Sequence, residues 1–458
     1  MIAKKVSLKE ISGLFVGVVA VSHILATLTW WTAGSYFGVN IFTSISFFAF
    51  DHHCMPSDAL GVHCFGDSLY PIKMAMSDNP WSGNNGINPY LGLGMVPYWF
   101  YGHLIEIIGD TSVVIFINLL LLFMSLSVPF IWVSRKKIYE LWPLLILCVG
   151  PLTIPGIVAL DRGNSVALIV APLLWFTVSF IRNNSRQLVF SVTVLAAIKP
   201  QYGLLVVLLA AYREWKPFIY SIRAVVLTQF LGFLLWPSSF PGSVRQAFAM
   251  SQQFQSYSSI SDKHPPQISL ASGAFQMERI VRNILNFQTP HSNFFSIQSQ
   301  TKIGYFFAAI LIVFLFFKGR HSPKYLTTSI LIAILSMISA TTYSYYGVFA
   351  MVLSAILIRN SSLANSQDSE DASSLSRIQA ISLVLALSLT LTRFPLASTF
   401  WVGDIKLVET SAFLTPLAWM LVALIWMIES CIKPNRVTST EITIGTSRIN
   451  AKNKTVPH

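Results

Sequence analysis

Residues 36–110 read YFGVNIFTSISFFAFDHHCMPSDALGVHCFGDSLYPIKMAMSDNPWSGNNGINPYLGLGMVPYWFYGHLIEIIGD, and they depart from the rest of the chain. They gather Asp51, Asp58, Asp67, His52, His53, His63, His103, Cys54 and Cys64 among many aromatic rings. Before them, from about Ile11 to Ala33, stands an apolar run long enough to cross a bilayer, for which roughly 20 residues suffice. It follows MIAKK without a small-residue cleavage site, which predicts a retained helix in place of a removed signal peptide. What comes after is mostly apolar too. Of 458 residues 53% are hydrophobic and 11% charged, with a mean hydropathy of +0.60, a balance that argues against a soluble domain and predicts an all-α polytopic membrane protein. The formal charge of +12 does not point to nucleic acid, because Lys and Arg form small clusters at the ends of apolar runs and no compact basic domain.

Runs able to cross begin near Ile11, Thr111, Leu141, Ser165, Gln187, Gln201, Pro217, Ile303, Tyr325, Tyr345, Ile378 and Ser411, which predicts about twelve crossings, the fifth and sixth half-length. With Lys4, Lys5 and Lys9 cytoplasmic, alternation puts Arg135, Lys136, Lys137, Arg182, Arg186, Arg213, Lys216, Lys318, Arg320, Lys324, Arg359, Arg377 and the basic tail on the same side. Both termini are then expected in the cytoplasm. This register requires that residues 90–108, with Pro97, His103 and Glu106, lie as an amphipathic helix in the outer interface. The outer side holds residues 36–110, 237–302 and the short loop 393–409, and the polar stretch 361–376 is a cytoplasmic linker. Residues 1–430 are expected to form a single transmembrane domain and 431–458 a basic cytoplasmic tail.

Asp67, in Gly66-Asp67-Ser68-Leu69-Tyr70, precedes Pro71 and a short apolar turn. A carboxylate at the start of a helix just outside the membrane either serves as general base toward a hydroxyl or only caps the helix. Asp51 and Asp58 read as turn or surface acids in the same loop. The letters Asp51-His52-His53-Cys54 invite comparison with protein S-acyltransferases, but that domain needs a cysteine-rich zinc fold on the cytoplasmic side, and this chain has four cysteines in all. Cys54 and Cys64 on the outer side are disulfide candidates, and the histidine spacing matches no metal pattern. Cys148 and Cys431 read as small residues within helices.

Further on, Leu160-Asp161-Arg162-Gly163-Asn164 and Ala197-Ile198-Lys199-Pro200-Gln201-Tyr202-Gly203 flank a pair of apolar runs, so Arg162 and Lys199 emerge together on the outer face. Pro200 breaks the helix, a break tolerated at membrane depth where it lines a cavity. Two cations at one depth suit a phosphate; the competing readings are a local Arg162–Asp161 pair and a snorkelling Lys199. Residues 339–346, with Tyr343, Tyr345 and Tyr346, insert polar aromatics between apolar runs, fit for stacking on a sugar or for anchoring at the interface. Arg245, Gln252, Gln253, Tyr257, His264, Arg279 and Arg282 add polar groups in 237–302.

In order and membrane side these elements resemble the GT-C type polyprenyl-phosphate-sugar-dependent glycosyltransferases, in particular the bacterial family that includes the mannosyltransferase of phosphatidylinositol mannoside synthesis and a cell-wall arabinofuranosyltransferase. The resemblance rests on Asp67 with Tyr70, Asn88-Pro89-Tyr90 to Pro97, Arg162-Gly163-Asn164, Lys199-Pro200 and 339–346, and covers about residues 11–360. Tyrosines replace the Trp and His usual in the last element, and the glutamine usual in the Arg162-Gly163-Asn164 element is missing. The resemblance implies a GT-C-like bundle in a bacterial plasma membrane that moves a monosaccharide, mannose or arabinofuranose, from a polyprenyl-phosphate donor to a glycolipid or glycan acceptor outside the cytoplasm. No metal or other cofactor is expected. Asp67 is the expected base, Lys199 and Arg162 the phosphate ligands, and Tyr70, Asn164, Gln201, Tyr343, Tyr345 and Tyr346 the substrate contacts. Two other classes fit the composition: a surface-polysaccharide polymerase or ligase, and a transporter, although no inverted repeat accompanies the latter.

Overall fold

The computed structural model describes residues 5–6, 8–36, 66–83, 88, 90–135, 142–260, 269–270, 297–339, 342, 344–360, 375–392, 395–402, 405–409 and 411–432. Its helices are α1 (Leu8–Tyr36), α2 (Gly66–Ala75), α3 (Val96–Ile108), α4 (Thr111–Ser134), α5 (Trp142–Val149), α6 (Ile154–Asp161), α7 (Val170–Ile181) and α8 (Ser185–Ile198). They continue as α9 (Val206–Ala211), α10 (Trp215–Phe233), α11 (Gly242–Ile260), α12 (Ile297–Lys318), α13 (Lys324–Met337), α14 (Phe349–Asn360), α15 (Arg377–Leu391) and α16 (Ser411–Ile432). Each apolar run expected from the sequence begins within six residues of an observed helical segment.

Among the described residues four stretches are long and apolar enough to cross a membrane: Glu10–Thr29, Thr111–Ser134, Gly304–His321 and Leu414–Ile432. Pro143–Val149 and Ile154–Asp161 make a fifth if counted as a single span bent by 63°. The sequence predicted one continuous run there. It breaks because Pro151 and Pro155 lack the amide a helix needs, while Thr153 accepts from Gly156 N and starts α6 afresh. The outer helices expose apolar faces, among them Leu14, Ile24 and Leu28 on α1, Phe116 and Met124 on α4, and Phe306 and Phe317 on α12. Such faces suit lipid, whereas α13 and α14 are buried along nearly their whole length, the hydroxyls of Thr327, Ser329 and Ser336 on α13 donating back to carbonyls of their own helix. This is a helical membrane protein.

Three tight reversals join the central helices. Gly163 (φ 60°), Asn183 (φ 56°) and Arg213 (φ 60°) adopt left-handed backbone, and the amides of Asn164, Asn184 and Glu214 reach back to the carbonyls of Ala159, Ser179 and Leu209. Lys324 Nζ seals the second reversal, donating to Phe180 O at 3.2 Å and to Asn183 Oδ1. The bundle therefore has two distinct ends. α7 leaves Asn164 and finishes at Arg182, and α13 starts at Lys324 beside that finish and returns to Ser336, which meets Tyr202 just past Lys199.

α3 does not traverse the bundle. It follows the 3-10 turn Gly92–Met95, carries Pro97 in its first turn, stops at left-handed Gly109, and exposes a His103–Glu106 pair at 2.9 Å. It packs with α2 and the top of α10 around Trp81, Tyr90, Tyr98, Phe233 and Trp236, where Trp236 Nε1 donates to Ala75 O and Trp81 Nε1 to Tyr90 O. Gly92 and Gly232 bring the 3-10 turn against α10: a Cβ on Gly232 would stand 2.3 Å from Leu93 N. Gly232→Ala is accordingly expected to lower stability by about 1–3 kcal/mol, as overpacking does, read as a lower Tm in detergent.

The chain is not wholly helical. Lys5–Val6 (β1) pairs with Leu375–Ser376 (β2), tying the start of the chain to the Ser376–Gln379 capping box of α15. Pro395–Val402 (β3) and Ile405–Glu409 (β4) form a hairpin where a plain loop was expected. The β-branched and aromatic residues of both arms favour that extended pairing.

Candidate functional site

At the end of the bundle where α7, α9 and α14 begin, polar residues from distant parts of the chain come together. Lys199 caps α8 in extended conformation (φ −141°, ψ 106°), as a residue before proline prefers. It is only 8% exposed, and its Nζ lies 4.5 Å from the centroid of the Tyr90 ring and 5.7 Å from that of Tyr346. Two aromatic faces offset part of the cost of removing an ammonium from water, by about 2 kcal/mol or more when the contact is desolvated. Tyr346 stacks on Tyr345 with centroids 5.3 Å apart, and the Arg162 guanidinium stands 5.8 Å from the Tyr345 centroid. The two cations expected to share a depth thus belong to one buried cluster, each packed on a tyrosine of the same stacked pair.

Tyr90 was not singled out as a site residue by its sequence. Its backbone is set by Asn88, whose Oδ1 accepts from Tyr90 N at 3.0 Å and whose Nδ2 donates to Pro80 O at 3.2 Å, and its ring packs on Tyr98. A tyrosine after Asn-Pro is an ordinary turn residue until the fold carries it to Lys199.

Asp67 lies in the first turn of α2, so the helix begins two residues earlier than a cap at Asp67 would require. Its side chain lies outside the described residues, as do Cys54, Cys64 and Tyr343. Its neighbour Ser68 is 2% exposed; Ser68 Oγ donates to Gly163 O at 2.5 Å and accepts from Asn118 Nδ2 at 3.0 Å. That link fastens the start of α2 to the Arg162-Gly163-Asn164 reversal, 95 residues along the chain. Asn118, a lone amide in the apolar run of α4, was the overlooked sequence signal. Ser68→Ala strips both buried partners and is expected to cost about 1–3 kcal/mol, read as a lower Tm than that of Ser68→Thr, which keeps the hydroxyl.

The remaining expected contacts have structural engagements. Asn164 Oδ1 accepts from Val166 N at 2.9 Å and caps the 3-10 turn Ser165–Ile169 that leads into α7. Gln201 Nε2 donates to Leu335 O at 3.1 Å and fastens the 3-10 turn Pro200–Leu205 to α13. Tyr70 is 45% exposed on α2. Four helical segments start around the cluster: α2, the turn into α7, the turn into α9, and Ser344–Val348 into α14. α6 and α8 end there too, capped by Arg162 and Lys199, so each cation stands at a carbonyl end while amide ends of the following segments open beside it. Among the described residues no group of three or more His, Cys, Asp or Glu is placed to hold a metal.

Comparison with protein-family models, with curated proteins and with solved structures found no match for this chain.

Proposed function

We propose that the protein is a membrane glycosyltransferase that moves a monosaccharide, mannose or arabinofuranose, from a polyprenyl-phosphate donor to a hydroxyl of a glycolipid or cell-envelope glycan. The observation that carries this reading is the cluster of Lys199 and Arg162, where the carbonyl of Gly163, next to Arg162, is held by Ser68, the residue beside Asp67. A phosphate has its counter-charges in Lys199 and Arg162, and charge growing on it as the sugar leaves meets donors already in position. Asp67 takes the proton of the acceptor hydroxyl. A sugar joined to that phosphate would meet the Tyr345–Tyr346 pair, which stands beside the two cations.

The shape of the bundle supports a lipid donor. α9 is only six residues long and lies between α10 and α12, and Leu204, just above it, is 42% exposed. The exposed Leu204 is an apolar surface close to Lys199 in the chain, against which a prenyl chain would lie. Counting the broken pair as one span, the six shorter apolar helices and α10 brings the passes to twelve, with α3 left in the interface. Both termini are then cytoplasmic and the cluster faces the outside of a bacterial plasma membrane.

The test is direct. Purified protein is incubated with radiolabelled polyprenyl-phosphate mannose or arabinofuranose and a lipid extract, and a labelled glycolipid or glycan is expected. Consumption of neither donor sinks the proposal, and movement of label across sealed vesicles without product assigns the chain to transport.

A further inference from the structure

The opposite end of the bundle carries a second cationic group that the proposed reaction does not use. α4, α7 and α14 pack on one another and finish there, α4 and α7 capped by Arg135 and Arg182 and α14 holding Arg359 in its last turn. Arg359 reaches back to α4, its guanidinium 4.0 Å from the Trp132 ring centroid and its Nη1 donating to Trp132 O at 2.6 Å. Arg135 and Arg182 are exposed and near enough to act on Arg359 as like charges. The carbonyl ends of three helices offset part of that repulsion; an anion held between the exposed arginines offsets more. Guanidinium groups take phosphate oxygens in pairs of hydrogen bonds.

The neighbouring surface says which kind of phosphate fits. Up α4 from Arg135 the exposed residues are apolar, Ile131 at 46% and Met124 at 56%. A charged end followed by an apolar face matches a headgroup followed by acyl chains, whereas a soluble phosphate uses only the charged part. We propose that Arg135, Arg182 and Arg359 form a binding site for the phosphate of an anionic membrane lipid, whose acyl chains lie along the exposed face of α4. The site stands apart from the Lys199 cluster and does not depend on the glycosyltransferase reading.

The full-length protein in phosphatidylcholine nanodiscs with graded phosphatidylglycerol provides the test, read as lipid retained in native mass spectrometry and as the rise in Tm with phosphatidylglycerol. Wild type is expected to retain phosphatidylglycerol over phosphatidylcholine. Arg135→Gln and Arg182→Gln, singly and together, are expected to weaken that preference by roughly 5-fold for each arginine removed. Both side chains are exposed, so these variants fold even if Arg359→Gln, which also loses its bond to Trp132, does not. Arg245→Gln, exposed on α11 away from this end, is expected to keep the full preference. Equal retention by wild type and the double variant overturns the proposal, as does equal retention of the two lipids by wild type. If inorganic diphosphate abolishes the preference, the anion is a soluble one and the lipid assignment fails.

Discussion

Asp67→Asn is expected to lower sugar transfer by about 10²–10⁴-fold, the share a positioned general base contributes, while the amount of folded protein stays unchanged. Asparagine keeps the size of the side chain; losing a negative charge near the start of α2 costs about 0.3–1 kcal/mol, too little to unfold the bundle. Ser68→Ala separates the two contributions, since it disturbs the placement of α2 and lowers stability but leaves the carboxylate. Single-turnover transfer from a labelled polyprenyl-phosphate sugar is the measurement. A wild-type rate in Asp67→Asn removes this residue from the mechanism.

The second large effect is expected at Lys199. Lys199→Gln keeps much of the reach and removes the charge, so transfer should fall by about 10²–10³-fold in kcat/KM, as when one preorganised donor to a developing negative charge is lost. Folding should survive, because taking a buried ammonium out of the core removes a desolvation cost at the same time. Lys199→Arg is not expected to restore the rate: the place between the Tyr90 and Tyr346 rings holds a compact ammonium, and a planar fork presents its donors differently. Titrating the donor decides the role. If the variant keeps the donor dependence of wild type, Lys199 does not hold the phosphate.

Much of the scaffold was legible because apolar runs of helical length, separated by Gly, Pro and clustered charge, have few other solutions in a chain this hydrophobic. The short helical segment after Lys199 and the separate short helix α3 followed from Pro200, Pro97 and the His103–Glu106 polarity. Other features were not legible. The break between α5 and α6 lay hidden in a run that reads as continuous, and the 395–409 hairpin in a segment too short to show its pairing. Asn164 and Gln201 were expected as substrate contacts through the family resemblance alone, and the structural hydrogen bonds they also make, to the local turn and to a neighbouring helix, were not legible. From one residue's letter and its neighbours nothing separates these uses, since the partner, Leu335 for Gln201, is 134 residues away.

The sequence by itself determined that this is a helical membrane chain and that Arg162 and Lys199 stand at helix breaks, because hydropathy and backbone chemistry are local properties. Only the tertiary structure decided that Tyr90 and Tyr346 flank Lys199 and that Ser68 ties the start of α2 to Gly163. Those contacts depend on how helices far apart in sequence pack side by side, and on two glycines, Gly92 and Gly232, that let one backbone lie against another.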